Sequence, residues 1–93
     1  MATVIIPTPL RKFTNNQARL QISGSNVGET VKELALNYPD LRKHLLDEKG
    51  NIRHFINIFL GDSDIRDLQE EKTLVKDDSV ISIVPAIAGG KRY

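Results

Sequence analysis

Apolar residues recur along this chain with two different periods, and the places where the period changes mark its elements. Thr3 to Ile6 is a β-branched, apolar run that Pro7 and Pro9 stop or confine to an edge, which predicts a first strand. Leu10 to Thr14 and Ala18 to Ser23 flank the polar turn Asn15-Asn16-Gln17, and Leu20 and Ile22 alternate with Arg19 and Gln21. An N-terminal hairpin with one buried face is expected here. The period then changes to that of a helix. Asn26 is placed to cap free backbone N–H groups, Glu29 stands three residues on as in a capping box, and Val27, Val31, Leu34 and Tyr38 form one stripe while Lys32 and Glu33 face away. Pro39 ends this helix near Tyr38 and opens a second, short one over Asp40 to Leu46, with Leu41, Leu45 and Leu46 on its apolar side.

After the turn Asp47 to Asn51, alternation returns. Ile52 to Leu60 reads as a central strand, with Ile56, Ile58 and Leu60 on one face and Phe55, Asn57 and Phe59 on the other. Gly61 to Asp64 is a turn by composition, Ile65-Arg66 a short return strand, and Asp67 to Val75 a segment with room for one helical turn. Val80 to Pro85 is the last strand, in which Ile81 and Ile83 share a face and Val84 points to the other. Strands, helix, short helix and further strands in so short a chain predict an α+β sheet with the main helix packed on one face. First and last strands pairing side by side would make a β-grasp, though periodicity alone does not separate that from a ferredoxin-like arrangement.

Composition narrows what the fold can do. At 93 residues there is length for one domain and one modest core. The near balance of 13 basic against 12 acidic residues argues against a nucleic-acid binder working by phosphate neutralisation. The absence of cysteine excludes disulfides, thiolate metal sites and a cysteine nucleophile. Met1 to Pro7 lacks the basic region and long apolar run of a signal peptide, and no apolar run is long enough to span a membrane, so a cytoplasmic protein without membrane contact is expected.

Candidate chemistry concentrates at the C-terminus, where Val84 to Ala88 lead into Gly89-Gly90 and then Lys91-Arg92-Tyr93. Paired glycines present bare backbone that can enter a channel too narrow for side chains. A tail this short and side-chain-poor acts, if it acts, in another protein's active site; the alternative is a frayed end.

Three stretches together carry a resemblance: Ile6-Pro7-Thr8-Pro9-Leu10-Arg11; His54 to Asp62 with Asp64-Ile65-Arg66; and Asp78-Ser79-Val80 through Pro85-Ala86-Ile87-Ala88-Gly89-Gly90. On these the chain resembles the β-grasp sulfur-carrier proteins of the MoaD/ThiS type, and within them the CysO-like carriers linked to cysteine biosynthesis. The resemblance covers nearly the whole chain. It implies a ubiquitin-like β-grasp domain over residues 1–88, with a mixed sheet of four to five strands, one main and one short helix, and a flexible tail over 89–93. The protein would be no enzyme but a cosubstrate without a bound cofactor. Its Gly90 carboxylate would be activated by an E1-like adenylating enzyme using ATP and Mg, then converted to a thiocarboxylate, with Ala88 and Gly89 threading into the partner. In the CysO-like branch the sulfur passes to an acceptor enzyme, a pyridoxal-phosphate (PLP) dependent cysteine synthase, and a metalloprotease later releases the cysteinyl adduct.

One departure from the family pattern matters. Lys91-Arg92-Tyr93 follow Gly90, so the Gly90 carbonyl is an amide with no free carboxylate to adenylate. The resemblance therefore implies processing at the Gly90–Lys91 bond by a JAMM-type zinc metalloprotease; the alternative is an inert extension. Two other roles stay open on these residues: a ubiquitin-like modifier conjugated through Gly90, and the small subunit of a molybdopterin synthase.

The remaining signals are weaker. Phe55, Phe59 and Val84 are expected either to form an apolar docking face for activating and acceptor enzymes or to be covered by the loop Asp67 to Val75. His44 and His54 lie ten apart in different elements without ligand spacing, so no metal is expected. Asp62/Asp64 and Asp77/Asp78 sit in turns, where aspartate caps its own backbone. Arg11, Lys12, Arg53 and Arg66 read first as a solvated face and second as steering for an acidic partner.

Overall fold

A computed structural model describes residues 1–85, and the tail residues Ala88, Gly89, Gly90 and Lys91, with the expected boundary at residue 88, lie outside that span. The sheet comprises β1 (Ala2–Ile5), β2 (Arg19–Ile22), β3 (Ile56–Leu60), β4 (Ser63–Asp64) and β5 (Val80–Pro85) in the order β2-β1-β5-β3-β4. β1 and β5 run parallel at its centre, with Val4 beside Ile81, and every other pairing is antiparallel. Two helices, α1 (Val27–Asn37) and α2 (Pro39–Leu45), pack on one side. This is the mixed α+β sheet of the β-grasp, with the first and last strands side by side.

Alternation explains which side is buried. Ala2 and Val4 from β1 and Ile6 just after it, Leu20 and Ile22 from β2, Ile56 and Ile58 from β3, and Ile81 and Ile83 from β5 all enter one core. The helices close it with Val27, Val31, Leu34, Ala35, Leu41 and Leu45. The cap of α1 forms as the sequence requires. Asn26 Oδ1 accepts the Glu29 backbone N–H at 2.8 Å, while Glu29 Oε1 reaches one residue further back, accepting Ser25 N–H at 2.9 Å. Pro39 then stands at the first position of α2, where its missing N–H costs no helical bond.

Three local expectations are corrected. Leu10 to Thr14 is not a strand: Thr8–Phe13 is a 3₁₀ helix, and the hairpin pairs Ala2–Ile5 directly with Arg19–Ile22. Pro9 at the start of the segment has no N–H for a ladder, the Leu10 N–H turns back to the Pro7 carbonyl at 2.9 Å, and Asn15 and Asn16 take left-handed backbone that reverses the chain. The central strand begins at Ile56 rather than Ile52. Ile52 makes only an isolated bridge to Leu46, and the Ile56 N–H closes a turn on the Arg53 carbonyl at 3.0 Å. The return strand is Ser63–Asp64; Ile65–Asp67 is a 3₁₀ turn because Asp64 Oδ1 takes the Arg66 N–H and caps it.

Candidate functional site

The face of the sheet opposite the helices is where the expected docking residues lie. On β3, Asn57 and Phe59 alternate with the buried Ile56 and Ile58; on β5, Ser82 and Val84 alternate with Ile81 and Ile83. Register brings them together, because Val84 stands opposite Asn57 and Phe59 opposite Ser82, which makes Phe59 a diagonal neighbour of Val84. Phe55, one residue before β3, is 49 % exposed and Val84 is 43 % exposed, whereas Phe59 is half-buried. Ile5 on β1, beside Ser82, extends the same face and is itself half-buried. Ile5 escaped the sequence reading although the alternation of Val4, Ile5 and Ile6 carries its orientation.

The loop Asp67 to Val75 packs elsewhere. Its backbone joins the start of α1, with Val27 N–H donating to the Thr73 carbonyl at 2.9 Å and Val75 N–H to the Ser25 carbonyl at 3.0 Å. A Cβ on Gly28 would meet Glu71 Cβ at 3.1 Å, so the loop rests tightly on the first turn of α1, on the helical side of the sheet.

This face lies at the end of the sheet that leads to the tail. The last described pair of the β3–β5 ladder is Ile56 with Pro85, one residue from Phe55; Ala88, Gly89, Gly90 and Lys91 follow Pro85 in the sequence and lie outside the described residues. Up to Pro85 the strand is anchored by its pairing with β3, while β1 flanks only Val80 to Ser82.

The other candidate groups are dispersed. His44 stacks on Phe13, with ring centroids 4.6 Å apart and planes inclined at 27°, and Lys12 Nζ lies 5.3 Å from that ring's centroid. His54 is exposed at the start of β3, where its carbonyl faces the Arg66 guanidinium. Among the described residues no group of three His, Cys, Asp or Glu side chains is placed to hold a metal ion. Arg53 Nε donates to the Lys43 carbonyl at 2.7 Å and Arg11 Nε to the Ile6 carbonyl at 3.0 Å, so both arginines brace backbone.

Two aspartates have lowered pKa values for structural reasons. Asp47 accepts N–H bonds from Asn51 and Lys49, and Arg53 and Lys49 add their charge. Asp77 is held down by the hydrogen bond and charge of the N-terminal ammonium, 2.8 Å away. Asp77 is solvent-exposed and Asp47 partly so, and they serve the chain end and the turn respectively.

Comparison with known proteins agrees with this geometry. The ThiS family model matches residues 4–90. The sulfur carrier protein CysO of Mycobacterium tuberculosis is 36 % identical over 90 residues, covering 95 % of this chain and 97 % of that protein. Among solved structures, the Amycolatopsis orientalis BexX/CysO complex contains a chain that superposes with a TM-score of 0.86 at 31 % identity, covering 97 % of this chain and 100 % of that one. The small archaeal modifier protein 1 of Methanosarcina acetivorans superposes with a TM-score of 0.84 at 30 % identity, covering 96 % of this chain and 95 % of that chain. A match spanning almost every residue, on a sheet of the same architecture, assigns the family: this chain belongs to the ThiS family of β-grasp proteins.

Proposed function

We propose that this protein is a sulfur carrier whose working group is the carboxylate of Gly90, uncovered by removal of residues 91–93. The observation that carries this reading is the extent of the family match, which runs through Gly90 and stops there, leaving Lys91-Arg92-Tyr93 beyond it. The similarity to a protein named as a sulfur carrier supports it.

The chemistry follows in three steps. A protease, proposed to be a JAMM-type zinc enzyme, hydrolyses the Gly90–Lys91 amide, adding water and releasing Lys-Arg-Tyr. An E1-like enzyme then joins the free carboxylate to the AMP part of ATP, with Mg on the phosphates and pyrophosphate as leaving group. Hydrosulfide, HS⁻, attacks the acyl carbon, its proton is lost to solvent and AMP departs, leaving a thiocarboxylate. Adenylation is needed because a carboxylate is a poor electrophile and AMP is a good leaving group. Ala88 and Gly89 have too little side chain to obstruct a narrow channel. Phe55, Phe59 and Val84 form the apolar face on which the activating and acceptor enzymes dock, at the end of β5 from which the sequence continues to Gly90. The acceptor in this reading is a PLP-dependent cysteine synthase, and the carrier is a cosubstrate rather than a catalyst. ATP consumption makes the cytoplasm the compartment the reading requires; among the described residues no helix is long and apolar enough to cross a membrane.

A second reading is favoured by the likeness to a protein named as a modifier. In it the adenylated Gly90 is passed to lysine amines of other proteins. Incubation with the native lysate and ATP, followed by mass spectrometry, separates the two. A thiocarboxylate at Gly90 supports sulfur transfer, and Gly-Gly remnants on lysines of other proteins support conjugation.

A further inference from the structure

Opposite the sheet's open face, the helical side carries a groove that the carrier chemistry does not use. Its floor is Ala35 of α1 and Leu46 after α2, both buried; its walls are Lys32, Leu36, Arg42 and Gly50, and it holds about 230 Å³. Leu36 is 72 % exposed although it is a large aliphatic side chain next to a buried alanine. Gly50 sits at φ +84°, and a Cβ there would have nothing within 4 Å, so that end of the groove is open. No carboxylate lines it, and neither Lys32 nor Arg42 makes an ion pair within 4 Å among the described residues.

We propose that this groove is a second docking surface, and that its occupant is an acidic segment of a partner protein bearing a leucine side chain. The apolar floor provides a seat for an aliphatic group, and two unpaired cations at the rim select carboxylates on either side of it. The positive rim argues against a basic segment. The groove and the apolar sheet face lie on opposite sides of the molecule, so one partner can hold the helical side while another works at the sheet and tail. The assignment is independent of the sulfur-carrier reading, because it concerns neither Gly90 nor the sheet face.

The test uses the full chain, ¹⁵N-labelled, titrated with the capped peptide Glu-Glu-Leu-Leu-Glu at low salt, beside a peptide with lysine for each glutamate and one with serine for each leucine. The proposal expects amide shifts centred on Ala35, Leu36, Leu46 and Gly50 for the acidic leucine peptide alone, with Phe59 and Val84 unmoved. Lys32→Glu with Arg42→Glu should weaken that binding at least about five-fold, and Leu36→Gln should weaken it comparably while leaving the rest of the spectrum in place. Both changes are at exposed positions, so the fold is retained. Equal response to the basic peptide, shifts located elsewhere, or no response at millimolar peptide would overturn it. Concentration-dependent shifts at the same residues without peptide would also overturn it, in favour of a second copy of the chain.

Discussion

Asn26 and Gly24 show how single residues hold the crossing from β2 into α1. Asn26 supplies the side-chain acceptor that satisfies the Glu29 N–H, so Asn26→Ala should lower the free energy of unfolding by about 1 kcal/mol in chemical denaturation. At Gly24 a Cβ would come within 2.7 Å of the Thr30 backbone nitrogen and 2.8 Å of its Cα. Backbone cannot rotate away as a side chain can, so Gly24→Ala should cost about 2 kcal/mol or more by the same measurement. On the open sheet face the expectation reverses: Val84→Ala should change stability by less than about 0.5 kcal/mol yet weaken binding of the activating enzyme. A loss of several kcal/mol there would mark Val84 as core instead. Asp77 has its pKa lowered by the N-terminal ammonium, so its small contribution is present above the ordinary aspartate value of 3.8 and is lost as pH falls through the lower folded value. An NMR titration should find the Asp77 midpoint below 3.8, moving up on N-terminal acetylation.

Among the elements, α1 carries the most. Leu34 is wholly buried beneath it, and Leu34→Ala should cost about 2–5 kcal/mol, a large share of what a domain this size has, measurable as a lower denaturation midpoint. This helix was legible in the sequence because its signals are local: a cap, a capping carboxylate, a four-three-four stripe and a terminating proline all lie within fourteen residues. β5 was equally legible, since its apolar alternation is uninterrupted from Val80 to Pro85. Leu10 to Thr14 misled because apolar composition alone does not distinguish a strand from a 3₁₀ turn; Pro9 just before the segment and two left-handed asparagines after it decided. The start of β3 misled for a different reason. Ile52 is apolar and in phase, but the Arg53 N–H is taken by the Leu45 carbonyl at 2.9 Å, which turns the chain before pairing begins. Of the candidate site, alternation gave the outward orientation of Phe59 and Val84, while their adjacency needed the register between strands far apart in sequence. The groove at Leu36 was illegible, since its walls come from two helices and a turn that only packing brings together.

For the whole molecule, the proposed function divides labour between the β-grasp sheet and the residues that follow it. Parallel pairing of β1 with β5 puts the last strand in the middle of the sheet: Val80 to Ser82 lie beside β1, and Ile81 to Pro85 are paired with β3. In the proposed function, the apolar face of Phe55, Phe59 and Val84 is where an enzyme would hold the carrier while acting on Gly90. On this account the Gly90–Lys91 bond is the switch: as an amide it is inert, and as a carboxylate it can be adenylated. The most direct measurement is intact-protein mass spectrometry of the 93-residue chain after incubation with its native lysate, ATP and a sulfur source. The account predicts a species ending at Gly90 in which one carboxylate oxygen is replaced by sulfur, absent when ATP is omitted. Persistence of the chain through Tyr93, with no species ending at Gly90, would contradict it.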